Sequence, residues 1–126
     1  MNQSNEYYMR EALKEARKAG KTGEVPVGAV AVCGGKIIGR GRNSSISDSD
    51  PTAHAEVVAV RKAAQKLGNY RLNGCKIYAT IEPCAMCAGM LVWARVSEII
   101  YGARDPKAGA CGSVLNVISN KKFNHA

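Results

Sequence analysis

Two segments of this chain place metal-binding side chains at the starts of predicted helices. The segment PTAHAEVVAV carries His54 directly before an amphipathic run. The segment PCAMCAGM carries Cys84 and Cys87 directly after a proline, a residue that favours the first turn of a helix. Residues three apart in a helix lie on one side of it, so both sulfur atoms can face one ion. If the three side chains share that ion, the fold must bring two helix N-termini together.

The first part of the chain predicts a helix followed by a hairpin. Apolar residues recur at helical spacing among charged residues in MREALKEARKAG, and Gly20 ends the pattern. The next segment, VPVGAVAVCGGKIIGRGRN, predicts two antiparallel strands. Gly34 and Gly35 lie between them, and a glycine pair suits a two-residue turn.

The middle of the chain alternates helices and strands. The helical pattern of residues 53–67 closes at Gly68, and it is followed by CKIYAT, a helix over PCAMCAGMLVWAR, and EIIYG. Strands linked by helices become parallel neighbours. We therefore expect an α/β fold with a central mixed β-sheet, an antiparallel hairpin at one side and helices on both faces.

Length and charge indicate a single domain with a polyanionic partner. At 126 residues the chain can bury a core of its own, and we expect residues 1–126 to form one domain. The formal net charge is +8, which suits nucleic acid, although many small proteins are basic without such a partner. The N-terminal segment lacks the apolar core of an export signal, and no apolar run approaches the roughly 20 residues that span a membrane. We expect a soluble, cytoplasmic protein with no membrane partner.

The cysteines favour thiols or metal over a disulfide framework. There are five, an odd number, at uneven spacing in a chain without a visible export signal. Cys84 and Cys87 alone are also compatible with a redox pair or two buried thiols. The others, Cys33, Cys75 and Cys111, have no partner at ligand spacing and are expected to be small buried hydrophobic residues.

His54 strengthens the prediction of a metal site, because it supplies a third ligand. Three protein ligands leave one position of a zinc ion open to water, which is typical of catalytic sites. A structural site needs a fourth ligand, for which the remaining candidates are Cys33, Cys75, Cys111 and His125. We expect one catalytic zinc ion per subunit.

Glu56 is the expected catalytic residue. It lies two residues after His54, so it diverges from the ligand around the helix and stays out of the coordination shell. A carboxylate beside the zinc site can take a proton from water and return it to a leaving group. The alternative is that Glu56 only stabilises the start of the helix.

The spacing of HAE at 54–56 and PCAMC at 83–87 resembles the zinc-dependent cytidine and nucleobase deaminase superfamily. That resemblance implies a three-layer α/β/α cytidine-deaminase-like fold. Further segments are similar to bacterial tRNA-specific adenosine deaminases, namely EVPVGAV, DPTAHAE, NYRL, TIEPCAMCAGM and YGARDPKAGACGS. The resemblance covers essentially the whole chain. It implies a homodimer that deaminates adenosine to inosine at the wobble position, the first anticodon base, within the anticodon stem-loop of a tRNA.

The resemblance also implies substrate contacts. Asn43 is expected to hydrogen-bond the nucleoside, Ala55 to offer its backbone N–H to the base, and Val27 to form a wall of the base site. A core position on a strand is an equally good interpretation of Val27. Asp105 and Lys107 are expected to contact nucleotides that flank the target, whereas without the resemblance they are simply solvated loop charges.

The sequence predicts one departure from the family and leaves two alternative functions open. Family members continue past the segment that matches FNHA with a strand and a helix, so residues 1–126 are expected to lack those elements. A deaminase of a free base or nucleoside, of guanine or cytidine type, would share the zinc site. A non-catalytic, zinc-stabilised RNA-binding subunit would share the ligands but would not need Glu56 as a proton shuttle.

Overall fold

One central sheet carries helices on both faces in the described part of the chain, residues 3–118 of a computed structural model. The elements in chain order are α1 (Asn5–Lys21), β1 (Gly28–Cys33), β2 (Lys36–Arg42), α2 (Ala55–Leu67), β3 (Cys75–Ile81), α3 (Ala85–Ala94) and β4 (Glu98–Ala103). The strand order within the sheet is β2-β1-β3-β4. This arrangement confirms the predicted α/β architecture.

The sheet is mixed, as predicted. β1 pairs antiparallel with both β2 and β3, whereas β3 and β4 are parallel neighbours joined through α3. Gly34 and Gly35 form the predicted hairpin turn with φ angles of 59° and 77°. As a result, the start of β1 and the ends of the other three strands lie at the same edge of the sheet. The chain leaves that edge to begin both α2 and α3.

The helices cover opposite faces of the sheet. Tyr8 and Ala12 of α1 pack against Val30 and Tyr78 on one face. On the other face, the buried cluster from α2, α3 and the strands includes Ala31, Val60, Ala63, Ile77, Leu91 and Ala94. Three layers, helix, sheet and helices, therefore enclose the core.

α2 lies unusually close to β2 because the contact residues are small. A Cβ atom added at Gly41 would lie 2.2 Å from the carbonyl oxygen of Ala55, and one added at Gly39 would lie 2.2 Å from that of Ala59. Both alanines are fully buried. The absence of side-chain atoms at these two glycines lets the N-terminal turn of α2 rest directly on the strand backbone.

A disulfide between Cys33 and Cys75 corrects the expectation of free thiols at these two positions. They are directly paired residues of the antiparallel strands β1 and β3, with their Cα atoms 4.4 Å apart. Adjacent Cα atoms at that separation suit a disulfide. Cys84, Cys87 and Cys111 are free thiols in the structure. The pairing depends on the β1–β3 register, which the spacing of the cysteines along the chain does not indicate.

No helix among residues 3–118 is both long enough and apolar enough to cross a membrane. The most apolar helix, α3, has only ten residues.

Candidate active site

His54 and Cys84 occupy equivalent positions, because each is the N-cap residue of its helix. His54 precedes α2 with φ −77° and ψ 155°, and Cys84 precedes α3 with φ −76° and ψ 177°. Neither side chain makes a capping hydrogen bond to its helix. Both side chains are therefore available for another partner, and they face each other across the edge of the sheet.

The predicted ligands meet at one point. The Nδ1 atom of His54 lies 3.6 Å from the sulfur of Cys84 and 3.5 Å from the sulfur of Cys87. Tetrahedral zinc with ordinary Zn–N and Zn–S bond lengths separates a nitrogen ligand from a sulfur ligand by about 3.6 Å. The spacing and the donor types fit zinc. Among residues 3–118 these three form the metal-binding group, and neither Cys111 nor Glu56 belongs to it; His125 lies outside the described residues.

The two cysteine ligands have opposite pKa shifts, because they share a hydrogen bond. The bond from the Cys87 thiol is the largest cause that lowers the pKa of Cys84, to about 5. The same bond and burial raise the pKa of Cys87. Cys84 is consequently a thiolate at neutral pH, and metal binding releases the proton of Cys87, since a coordinating thiol is deprotonated.

Glu56 lies beside the ligands but is separate from them. It is only 3% exposed, in the first turn of α2. Burial is the main cause that raises the pKa of its carboxyl above the ordinary value, and the charge of Cys84 adds to the effect. A raised pKa makes this carboxylate a better proton acceptor. Its position and its environment suit proton transfer more than a purely structural role at the helix start.

A cavity of about 240 Å³ opens beside these groups. It is smaller than the cavities of about 300–1,000 Å³ that hold drug-sized ligands, so it suits a single base. Its walls combine apolar and polar side chains: Val25, Val27, Asn43, His54, Ala55, Glu56, Ile81, Glu82, Cys84, Asp105 and Ala108.

The structure brings four of the five predicted substrate-binding residues to this cavity. Val27, Asn43, Ala55 and Asp105 line it. Lys107 does not, and its side chain is exposed on the loop that Asp105 begins. Val27 also packs against the buried alanines of β1, β3 and α2. It is therefore both a wall of the cavity and a part of the core, the two interpretations that the sequence allowed. The backbone carbonyl of Val27 accepts a 3.1 Å hydrogen bond from the backbone N–H of Asn43, and this bond holds the two residues together.

The sequence did not predict the role of a buried carboxylate next to Val25, a residue that lines the cavity. Glu24, which is 5% exposed, accepts hydrogen bonds from the amide of Ile46 at 3.1 Å and from the amide and hydroxyl of Ser47, both at 2.7 Å. These bonds fix the loop that connects Asn43 to His54. Glu24 begins the segment EVPVGAV, but that segment does not reveal the role of the carboxylate, because its partners lie more than twenty residues away.

Residues 2–103 match the profile of the cytidine and deoxycytidylate deaminase zinc-binding region. The chain belongs to this deaminase family. Membership agrees with the donor set described above and identifies the metal of the site as zinc. The cytidine-deaminase-like fold predicted from the sequence is confirmed.

Individual proteins of this family are similar to this chain in sequence and structure over most of its length. It is 46% identical over 121 residues to a tRNA-specific adenosine deaminase of Bacillus subtilis, covering 96% of this chain and 75% of the relative. A solved structure from a study of A-to-I editing by tRNA:A34 deaminases at the wobble position of transfer RNA has a TM-score of 0.92 and 45% identity, with coverage of 95% of this chain and 92% of the other. The guanine deaminase of Bacillus subtilis matches with a TM-score of 0.81 and 40% identity, with coverage of 87% and 71%.

Proposed function

We propose that this chain is a zinc-dependent hydrolase that deaminates adenosine to inosine at the wobble position, the first anticodon base, of a tRNA. The similarity to tRNA-specific adenosine deaminases over 96% of the chain supports this substrate. A cytoplasmic location belongs to the same proposal, because tRNA is decoded there.

The observation that carries the proposal is the position of Glu56. Its buried carboxyl lines the same base-sized cavity as His54 and Cys84, while remaining outside the metal-binding group. A scaffold that uses zinc only for stability would have no use for a carboxylate with a raised pKa beside the metal-binding group. This combination of an open three-ligand site and an adjacent proton acceptor is that of a hydrolytic enzyme.

Adenosine and water give inosine and ammonia, and the chain must move protons between them. The zinc ion, when bound, supplies Lewis-acid activation of water. Glu56 takes one proton from the attacking water and delivers it to N1 of adenine, and then takes the second proton from the hydroxyl formed on C6 and delivers it to the amine, which leaves as ammonia. The net proton change at Glu56 is zero over one turnover, so the carboxylate is restored.

The cavity walls would orient the base for this transfer. The N–H of Ala55 lies in the first turn of α2, where backbone donors have no partner within the helix, and it would donate to the purine. Asn43 would hydrogen-bond the nucleoside from the end of β2. Val27 would contact the face of the base. A base held in this way must leave the RNA stack, which is easiest in a loop such as that of an anticodon stem-loop.

Exposed basic residues close in sequence to Asp105 support an RNA substrate. Arg104 and Lys107 are exposed on either side of Asp105 in sequence, and the chain has a formal charge of +8. Lysine and arginine near phosphates release counterions and provide affinity that does not depend on sequence. We propose that Asp105 and Lys107 contact the nucleotides next to the target.

We also propose that the enzyme is a homodimer. α3 contains no charged residue, and it leaves Met86 and Trp93 38% and 66% exposed. Large apolar side chains on one uncharged helix are typical of a surface that another chain covers. Light scattering coupled to size-exclusion chromatography should give twice the chain mass, and Trp93→Glu should reduce it to that of a monomer.

The activity is tested by nucleoside mass analysis of an anticodon stem-loop with adenosine at its first anticodon position. Inosine in the RNA, lost with a chelator and restored by zinc, is the expected result. Free guanine, cytidine and adenosine are assayed in parallel, because the likeness to guanine deaminase makes a free-base deaminase the strongest competitor. Turnover of guanine or cytidine without inosine in RNA would replace the proposed substrate. RNA binding without turnover of any substrate would indicate the non-catalytic alternative.

A further inference from the structure

We infer that Glu82 is a positioning residue, whose buried carboxylate gives the loop of residues 105–113 the shape needed to hold the RNA substrate. The inference rests on the proposed function, because it concerns the same substrate. In this role Glu82 contributes to the proposed function without binding the metal or transferring a proton. The residue lies between β3 and the metal ligand Cys84, and it is 2% exposed.

Four hydrogen bonds connect this carboxylate to the loop. The amide of Asp105 donates to Oε1 at 3.1 Å, and the amides of Cys111 and Ser113 donate to Oε2 at 2.9 and 3.1 Å. The hydroxyl of Ser113 donates to Oε1 as well. The donors come from both ends of the loop, so a single side chain closes it. Hydrogen bonds to a charged group are stronger than neutral ones, which makes this closure firm.

The loop fits tightly around the carboxylate. A Cβ atom added at Gly109 would lie 2.5 Å from Oε2 of Glu82 and 2.4 Å from its carboxyl carbon. The amide of Ala110 donates to the carbonyl of Pro83 at 2.9 Å, and Gly109 forms an isolated β-bridge with Cys84. The loop is thereby held against the same turn that carries a metal ligand.

The bonds of Glu82 favour a positioning role over a catalytic one. A carboxylate offers about four lone-pair sites, and four donors from the loop occupy them. Among residues 3–118, no lysine or arginine forms an ion pair with it. The negative charge is balanced by loop donors alone, so little capacity remains for a substrate proton.

The loop matters to substrate because it forms one wall of the cavity. Asp105 and Ala108 line that wall, and one oxygen of Asp105 accepts bonds from the amides of Lys107 and Ala108 at 3.0 and 3.1 Å. This local turn sets the direction in which Lys107 leaves the loop. Since Glu82 holds the amide of Asp105 itself, moving the carboxylate would displace the turn as a unit.

The first test is Glu82→Gln, which keeps the size of the side chain. The side-chain amide of glutamine places an N–H donor where the carboxylate had an acceptor oxygen. That donor faces the N–H and O–H donors of the loop, so at least one of the four hydrogen bonds must break. We expect KM for the anticodon stem-loop to rise about tenfold or more, in line with the loss of a buried bond to a charged group. We expect kcat to change by less than about threefold and zinc to remain at one ion per chain, because Glu56 and the ligands stay in place.

Two changes on the loop side provide independent tests. Gly109→Ala leaves the carboxylate unchanged but pushes the loop away from it, and it should raise KM in the same way. Ser113→Ala removes one donor, whereas Ser113→Thr keeps the hydroxyl, so KM should rise in the first and recover in the second. Glu98→Gln is the matched control, because Glu98 is an exposed carboxylate paired with Lys76.

The outcomes separate this inference from the proposed function. A folded Glu82→Gln variant with unchanged KM overturns the inference, as does a loss of activity that only follows loss of zinc or of thermal stability. If Glu82→Gln does not fold, the KM values of the Gly109 and Ser113 variants decide by the same criteria. A wild-type enzyme that forms no inosine in the stem-loop overturns the proposed function instead.

Discussion

The Nδ1 atom of His54 lies 3.5 Å from the sulfur of Cys87, although 33 residues separate them in the chain. They meet because α2 and α3 both begin at one edge of the sheet, where β2 and β3 end. The metal site therefore depends on the strand order as well as on the ligand residues. Any change that moves one helix start relative to the other should affect metal affinity.

Removal of a metal ligand should abolish both zinc binding and turnover. Cys84→Ala is expected to lose bound zinc, because two ligands cannot hold the ion at a site built for three. Cys111→Ala is the matched control, since Cys111 is a free, half-buried thiol outside the ligand group. Metal analysis after dialysis checks both variants. Full zinc content in Cys84→Ala would show that the ligand set is wrong.

Glu56→Gln should separate chemistry from metal binding. The amide keeps the shape of the carboxyl but cannot accept the proton, so kcat should fall by a factor of about 10²–10⁴. Zinc content should stay at one ion per chain, because Glu56 lies outside the ligand group. Inosine formation and metal analysis on the same sample provide the two measurements. Wild-type turnover in this variant would exclude Glu56 as the proton carrier.

The ligands were predictable from sequence because each lies next to a helix start that local signals reveal. Pro83 marks the start of α3, and the apolar pattern after His54 marks α2. The strand types and the hairpin were predictable for the same reason, since hydrophobic period and turn glycines are local. The strand order brings these local elements together, and here the resemblance to a known family supplied what periodicity could not.

The remaining features depend on distant partners. Glu82 and Glu24 bind amides 22 to 31 residues away, and an isolated glutamate carries no sign of such a role. Glu11 of α1 likewise pairs with Arg40 of β2 at 2.7 Å. The prediction that Cys33 and Cys75 are free thiols was wrong, because the number of cysteines and the expected compartment indicate only how common disulfides are in a class of proteins. This disulfide depends on the register between β1 and β3.

The stability of the protein should depend on pH through Glu24. Hydrogen bonds from Ser47, and from the amide of Ile46, lower the pKa of this carboxyl from its ordinary value of 4.5. A lowered folded-state pKa adds stability that is fully present above pH 4.5 and is lost as the pH falls through the folded-state pKa. Urea unfolding between pH 7 and 3 should therefore show a smaller acid loss in Glu24→Gln than in the wild type. Equal losses would contradict this assignment.

The close contact between α2 and β2 makes a prediction about both folding and the site. Gly41→Ala would place a methyl group 2.2 Å from the Ala55 carbonyl, so α2 must move away from β2. Overpacking of this kind typically costs about 1–3 kcal/mol, so the free energy of unfolding should fall by about 1 kcal/mol or more. Because the displaced turn carries His54 and Glu56, zinc affinity and kcat should fall together in the folded fraction.

Gly20→Ala in α1 is the matched control for that experiment. A Cβ atom there would lie 3.5 Å from the Cβ atom of Pro26, an ordinary van der Waals distance, and alanine is favoured over glycine inside a helix by about 0.5–1 kcal/mol. Urea denaturation should therefore show a stability equal to or above that of the wild type for Gly20→Ala and a clear decrease for Gly41→Ala. If both variants unfolded at the wild-type midpoint, the sheet would tolerate a wider helix spacing, and the close contact would not be what positions the two side chains. If Gly41→Ala lost stability but kept zinc affinity and kcat, the site would be held by the loop before His54 rather than by the contact between α2 and β2.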